Sequence, residues 1–287
     1  MSSSTPDDVD RITWLRPTSP LRRASLSLLL SLAVLTAAAW ALTIYQAGGM
    51  SAPMGIAVRG GASADGMAGM AMAGMSAAGW SVSGAATFVA VWTVMMAAMM
   101  LPAVAPMLVI FASANAPGKQ EAAVPTWIFA AGYMLVWAAA GLLVYVLVQI
   151  GSDAATRLAP AERMKWAPVV LGATLVAAGL YQFTPLKRFC LRHCRSPMAF
   201  VVQNWRDGRV GALRMGLQHG AYCFGCCWAL FAVLVAVGVM SLAWMLLLTL
   251  VVFVEKTLPQ ARLTSAVVGF ALTAVGIAVA GGAVSSF

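Results

Sequence analysis

Charge is scarce in this sequence. Asp, Glu, Lys and Arg make up 9% of its 287 residues, against roughly 25% in a soluble domain. A chain so poor in charge cannot coat a water-facing globule, and lipid must cover much of its surface. Other absences narrow the chemistry. The sequence has no GxxxxGK[ST] phosphate loop, and so no nucleotide engine of its own. It has no HExxH and no GxSxG, the signatures of metallo- and serine hydrolases. Histidine is limited to two residues and cysteine to five, all lying between residues 190 and 227. No catalytic constellation stands out, and a binding protein is expected rather than an enzyme.

What is present is long apolar sequence. No charged residue falls in 24–58, 66–118, 122–152, 166–186, 215–254 or 263–287. A helix needs about 20 apolar residues to cross the hydrocarbon core. Most of these stretches fit one crossing, and 215–254 fits two, with a turn near Gly238 to Ser241. The expected fold is all-α, a polytopic transmembrane bundle of about seven spans: 25–46, 83–112, 127–150, 166–186, 216–237, 241–258 and 264–284. Barrel strands would alternate polar and apolar residues, and these segments do not.

The net charge of +9 would suggest nucleic acid in a soluble protein. Here topology explains it, and no nucleic-acid partner is expected. With the N-terminus inside and the C-terminus outside, fourteen Lys or Arg are cytoplasmic. Arg59, Arg157, Arg163 and Lys165 are the four outside, as the positive-inside rule demands. Arg22-Arg23 precedes an apolar run too long for a signal peptide, with no clear cleavage site, so 25–46 reads as an uncleaved first span. These features suit a multi-pass protein of a bacterial inner membrane.

Residues 1–24 read as a disordered cytoplasmic tail and 47–82 as an outer loop rich in Gly, Ala, Ser and Met. The remainder, 83–287, reads as a six-helix membrane domain in which 187–215 is a basic inner loop. Pro102 and Pro106 predict a kink or break in the second span.

Sulfur carries the chemical signal. The outer loop holds Met67, Met70, Met72 and Met75 among small residues that offer a thioether nothing to pack against. Thioethers are soft, uncharged ligands that select Cu(I) over hard cations, so a collecting loop is one reading and a low-complexity spacer the other. The second span carries Met95, Met96, Met99 and Met100, two i,i+4 pairs that are either ligands or ordinary packing. In the fifth span, His219, Cys223 and Cys226 or Cys227 recur at i, i+4 and i+7 or i+8, on one helix face. Cys190 and Cys194, four apart, share a face if their segment is helical. Gly216 and Gly220 form a GxxxG pair that lets a neighbouring helix come close. Glu255 either meets a passing cation, pairs with Lys187 or an inner-loop arginine, or snorkels to the interface.

Cys190-Leu-Arg-His-Cys194 and His219-Gly-Ala-Tyr-Cys223-Phe-Gly-Cys226-Cys227-Trp228 resemble a family of prokaryotic predicted metal-binding integral membrane proteins, catalogued as a domain of unknown function. Trp92 with the four span methionines, and Glu255-Lys256, match its other blocks, over roughly 85–260. The resemblance implies metal binding. The expectation is a membrane protein that binds, and on one reading translocates, Cu(I) or another soft ion, meeting a metal-handling protein on the cytoplasmic or extracellular side. In that scheme Met loop, span methionines, the Cys223 cluster and the Cys190/Cys194 pair are successive stations. A membrane thiol–disulfide oxidoreductase and a metal-free assembly scaffold are the alternatives.

Overall fold

The computed structural model describes residues 20–49, 80–115, 123–237, 241–258 and 260–282. The methionines at 67, 70, 72 and 75, and most of the expected N-terminal tail, lie outside the described residues. The described residues form α1 (Pro20–Gly49), α2 (Val82–Ala114), α3 (Ala123–Thr156), α4 (Pro160–Tyr181), α5 (Pro185–Arg195), α6 (Pro197–Asn204), α7 (Gly208–Val237), α8 (Leu242–Thr257) and α9 (Ala261–Ala280). There is no strand among them.

Five helices, α1, α2, α3, α7 and α9, are long and apolar enough to cross a membrane. A sixth crossing arises if α4 and α5, bent by 64° at residues 182–184, count as one broken span. This differs from the seven crossings expected from the charge gaps. The difference lies in two places: 166–186 belongs to the bent pair, and α8 has only 16 residues, about 24 Å at 1.5 Å per residue. Broad apolar exposure supports membrane insertion: Leu142, Leu143, Leu147 and Ile150 on α3, and Phe270 and Ile277 on α9, face outward.

Local sequence explains the ends. Ser81 caps α2 by accepting from the Gly84 amide at 3.1 Å. Pro102 and Pro106 lie inside α2 without ending it, and Leu101, Val104, Met107 and Leu108 around them are packed into the bundle. Thr184 caps α5, with Pro185 at its first position, so the bend after α4 is written as a stop and a fresh start. The expected inner loop 187–215 is instead α5, α6 and the first turns of α7. Charge gaps could not reveal this, because Arg192, Arg195, Arg209 and Arg214 are embedded in those helices.

Pair contacts set helix direction. Phe88 meets Tyr145 and Phe111 meets Phe129, so α2 and α3 are antiparallel. Along α3 and α7 the contacts Phe129–Gly216, Tyr133–Gly220 and Trp137–Phe224 climb together, so these helices are parallel. A side chain at Gly216 would collide with the Phe129 carbonyl, and one at Gly220 would come within 2.9 Å of Val136. The GxxxG pair is therefore the seam that lets α3 lie against the face of α7 carrying His219 and Cys223. Helix α4 runs opposite to α9, with Gly172 against Gly276 and Gly179 against Gly269.

Candidate metal centre

Helix α7 supplies three thiols. The sulfurs of Cys223, Cys226 and Cys227 lie within 4.8 Å of one another, all buried. Helical spacing produces this directly, since the three share one face within about a turn. The thiols of Cys226 and Cys227 donate to the Cys223 carbonyl at 3.1 and 2.8 Å, which aims them back toward Cys223.

Helix α5 brings the fourth. Cys194 Sγ is 4.0 Å from Cys226 Sγ. Cys194 is the least buried residue of the four. Cys190, one turn earlier, packs its sulfur into the space left by Gly225; a methyl there would lie 2.7 Å from it. The Gly225 carbonyl in turn accepts from the Tyr181 hydroxyl, tying α4 to the same turn of α7. Cys194 of the inner CxxxC pair thus reaches the α7 cysteines, while the sequence suggested two successive stations. The cause is the bend at residues 182–184, which lays α5 across α7 rather than leaving it as a separate loop.

Two side chains that the sequence did not single out as ligands complete the surroundings. Tyr133 of α3, fully buried, sets its hydroxyl 3.0 Å from Cys223 Sγ. Lys256, near the end of α8, donates its ammonium to the same sulfur at 3.0 Å. The last turn of α8 therefore ends level with the middle of α7. Its neighbour Glu255 turns to α5 and holds Lys187 Nζ at 2.7 and 2.8 Å; Ser265 donates to the same carboxylate at 2.9 Å. Of the roles open to Glu255, the structure selects the pair with Lys187.

His219 lies one turn before Cys223, buried among the rings of Phe129, Tyr133 and Phe200. Its Nδ1 has no hydrogen-bond partner, which is costly for a buried polar atom and leaves a donor or ligand atom available. Met215, a further turn back on the same face, is fully buried. His193 sits elsewhere, stacked on Tyr222 at 4.4 Å between ring centroids. Met95, Met96, Met99 and Met100 are buried in the same apolar core as Cys223, Cys226 and Cys227.

Four clustered sulfurs, one of them against an ammonium, make a site suited to a soft cation, since thiolates select Cu(I) and similar ions. Residues 89–279 match the family model PpoB2, described as a copper chaperone. No curated protein and no solved structure matches the chain.

Proposed function

The chain belongs to the PpoB2 family of copper chaperones, and on that premise we propose that it carries Cu(I) in the Cys194, Cys223, Cys226 and Cys227 cluster. The observation that carries this reading is the convergence of sulfurs from two helices on a buried point beside Lys256.

Charge arithmetic supports a monovalent ion. Two thiolates and one Cu(I) leave a single negative charge, and the ammonium of Lys256 cancels it. An uncompensated buried charge costs several kcal/mol, whereas a neutral assembly avoids that penalty. A divalent ion on the same pair would leave the site positive. Cys194, half-buried, is the sulfur through which the ion enters or leaves; ligand exchange from Cys226 to Cys194 moves it outward without full release. His219 stands as a further ligand on the inner side, and the α2 methionines as a thioether path through the core.

The topology we favour has seven crossings, with the N-terminus cytoplasmic, the C-terminus outside and the bacterial inner membrane as location. The helix directions support it: α7 runs parallel to α3, and α9 opposite to α4. Helix α8 then counts as a short crossing, and α5 with α6 lie at the cytoplasmic end. The cluster opens through Cys194 toward that side, where an acceptor protein would dock. Movement across the membrane, from the methionines to the cysteines, uses ligands that strengthen inward.

The test is titration of purified protein with Cu(I) against a competing chelator. The Cys223→Ala, Cys226→Ala double variant is expected to lose the tight site. Unchanged binding by that variant removes the cluster from consideration.

A further inference from the structure

A second polar site lies between α5 and the start of α9. A cleft of about 440 Å³ is lined by Gln182, Phe183, Lys187, Arg188, Leu191, Arg192, Arg195, Ser196, and Ala261 to Ala266 in part. Its floor is electrically settled, because Lys187 is paired with Glu255. Its walls are not: among the described residues no carboxylate pairs with Arg188, Arg192 or Arg262.

Two further observations point to an anion. Gln182 is buried, and its Nε2 has no acceptor. Its orientation is fixed by chemistry: Lys187 Nζ can only donate, so the amide oxygen must face it. The atom left over is therefore an N–H donor. The N-terminus of α9 also opens here. Its preceding residue, Gln260, makes no side-chain cap, so the first amides of a 20-residue helix carry their partial positive charge toward the cleft.

We propose that this cleft binds the phosphodiester headgroup of an anionic phospholipid. A free phosphate offers the same charge chemistry, but the surroundings favour lipid. The cleft lies at the end of two apolar helical units, and Phe183 on its rim stacks edge-on with Phe270 at 5.0 Å. Phe270, Val267 and Leu263 continue outward along α9 as an exposed apolar strip, the path an acyl chain takes. Basic pockets between spanning helices on the cytoplasmic side are suited to such headgroups. A choline headgroup would bring a cation against the arginines, so phosphatidylglycerol is preferred over phosphatidylcholine. The site stands whether or not the sulfur cluster carries copper.

The experiment uses the full-length protein in detergent micelles doped with phosphatidylglycerol or phosphatidylcholine, with bound lipid counted by native mass spectrometry. Wild type is expected to retain phosphatidylglycerol about tenfold better. The preference is lost in Arg188→Gln, Arg262→Gln and weakened in Gln182→Leu, which changes no charge. It persists in Arg209→Gln, an exposed arginine outside the cleft whose loss alters net charge alone. Equal retention of the two lipids, equal loss in Arg209→Gln, or displacement of the lipid by excess inorganic phosphate overturns the proposal.

Discussion

The ammonium of Lys256 sits 3.0 Å from the sulfur of Cys223, joining the end of α8 to the middle of α7. It supplies the only positive side chain seen in contact with the sulfur cluster among the described residues. Replacing it by Met, which keeps the length and removes the charge, is expected to weaken Cu(I) binding by about ten- to a hundredfold, the range typical of losing a side chain that supports a metal ligand. Lys256→Arg should lose less. Chelator competition on the purified variants measures both, and equal affinities for wild type and Lys256→Met would mean the charge is irrelevant.

Tyr133 contacts the same sulfur through one hydroxyl. Tyr133→Phe deletes a single hydrogen bond worth about 1 kcal/mol, so a drop in affinity of about fivefold is expected with the fold intact. Circular dichroism alongside the titration separates the two effects.

Gly225 is the contact point between α7 and the α5 cysteines. Gly225→Ala places a methyl 2.7 Å from Cys190 Sγ and should push α5, and Cys194 with it, away from Cys226. Copper affinity falls. Adding Cys190→Ala removes the obstructing sulfur and should restore much of the loss. A double variant no better than Gly225→Ala would show that Cys190 does not transmit the displacement.

Much of this architecture was legible in advance, for a simple reason. Insertion forbids charge over about 20 residues, so the gaps between charges outline long helices such as α2, α3 and α9. Helical spacing likewise places Cys223, Cys226 and Cys227 on one face, and the GxxxG pair marks the seam against α3. The outline fails where helices carry charges on one side: α5 and the first turns of α7 looked like a loop because Arg192 and Arg209 interrupt them. Tyr133 and Lys256 were beyond reach for a different reason. Each comes from another helix, and the relative register of two helices depends on packing that no local pattern records. Of the kink or break that Pro102 and Pro106 suggested, the break is absent, because α2 continues through both.

The buried Lys187–Glu255 pair is exposed by only 1% and 2%. Glu255→Gln leaves an ammonium without its counter-charge and is expected to cost about 3–5 kcal/mol, read as a lower midpoint in thermal unfolding in detergent. Replacing both residues by apolar ones, Lys187→Met with Glu255→Leu, should cost far less. If the double variant is as unstable as the single one, the pair matters for its shape and not for its charge.

The thiol–disulfide alternative has its own test. Copper carriage leaves all five cysteines reduced through loading and release, so alkylation of denatured, chelator-stripped protein before and after transfer should label all five. A Cys194–Cys226 disulfide accumulating during turnover would instead indicate electron traffic.

The neighbouring side chains Glu255 and Lys256 reach different helices with opposite signs, one to the ammonium on α5 and the other to a sulfur on α7. Turning α8 one way by the ~100° that separates adjacent residues would set the Glu255 carboxylate against the cysteines, and turning it the other way would set Lys256 against Lys187. Both wrong contacts are repulsive, so the short helix has a single seating, and correct insertion of its end is checked twice before any ion arrives.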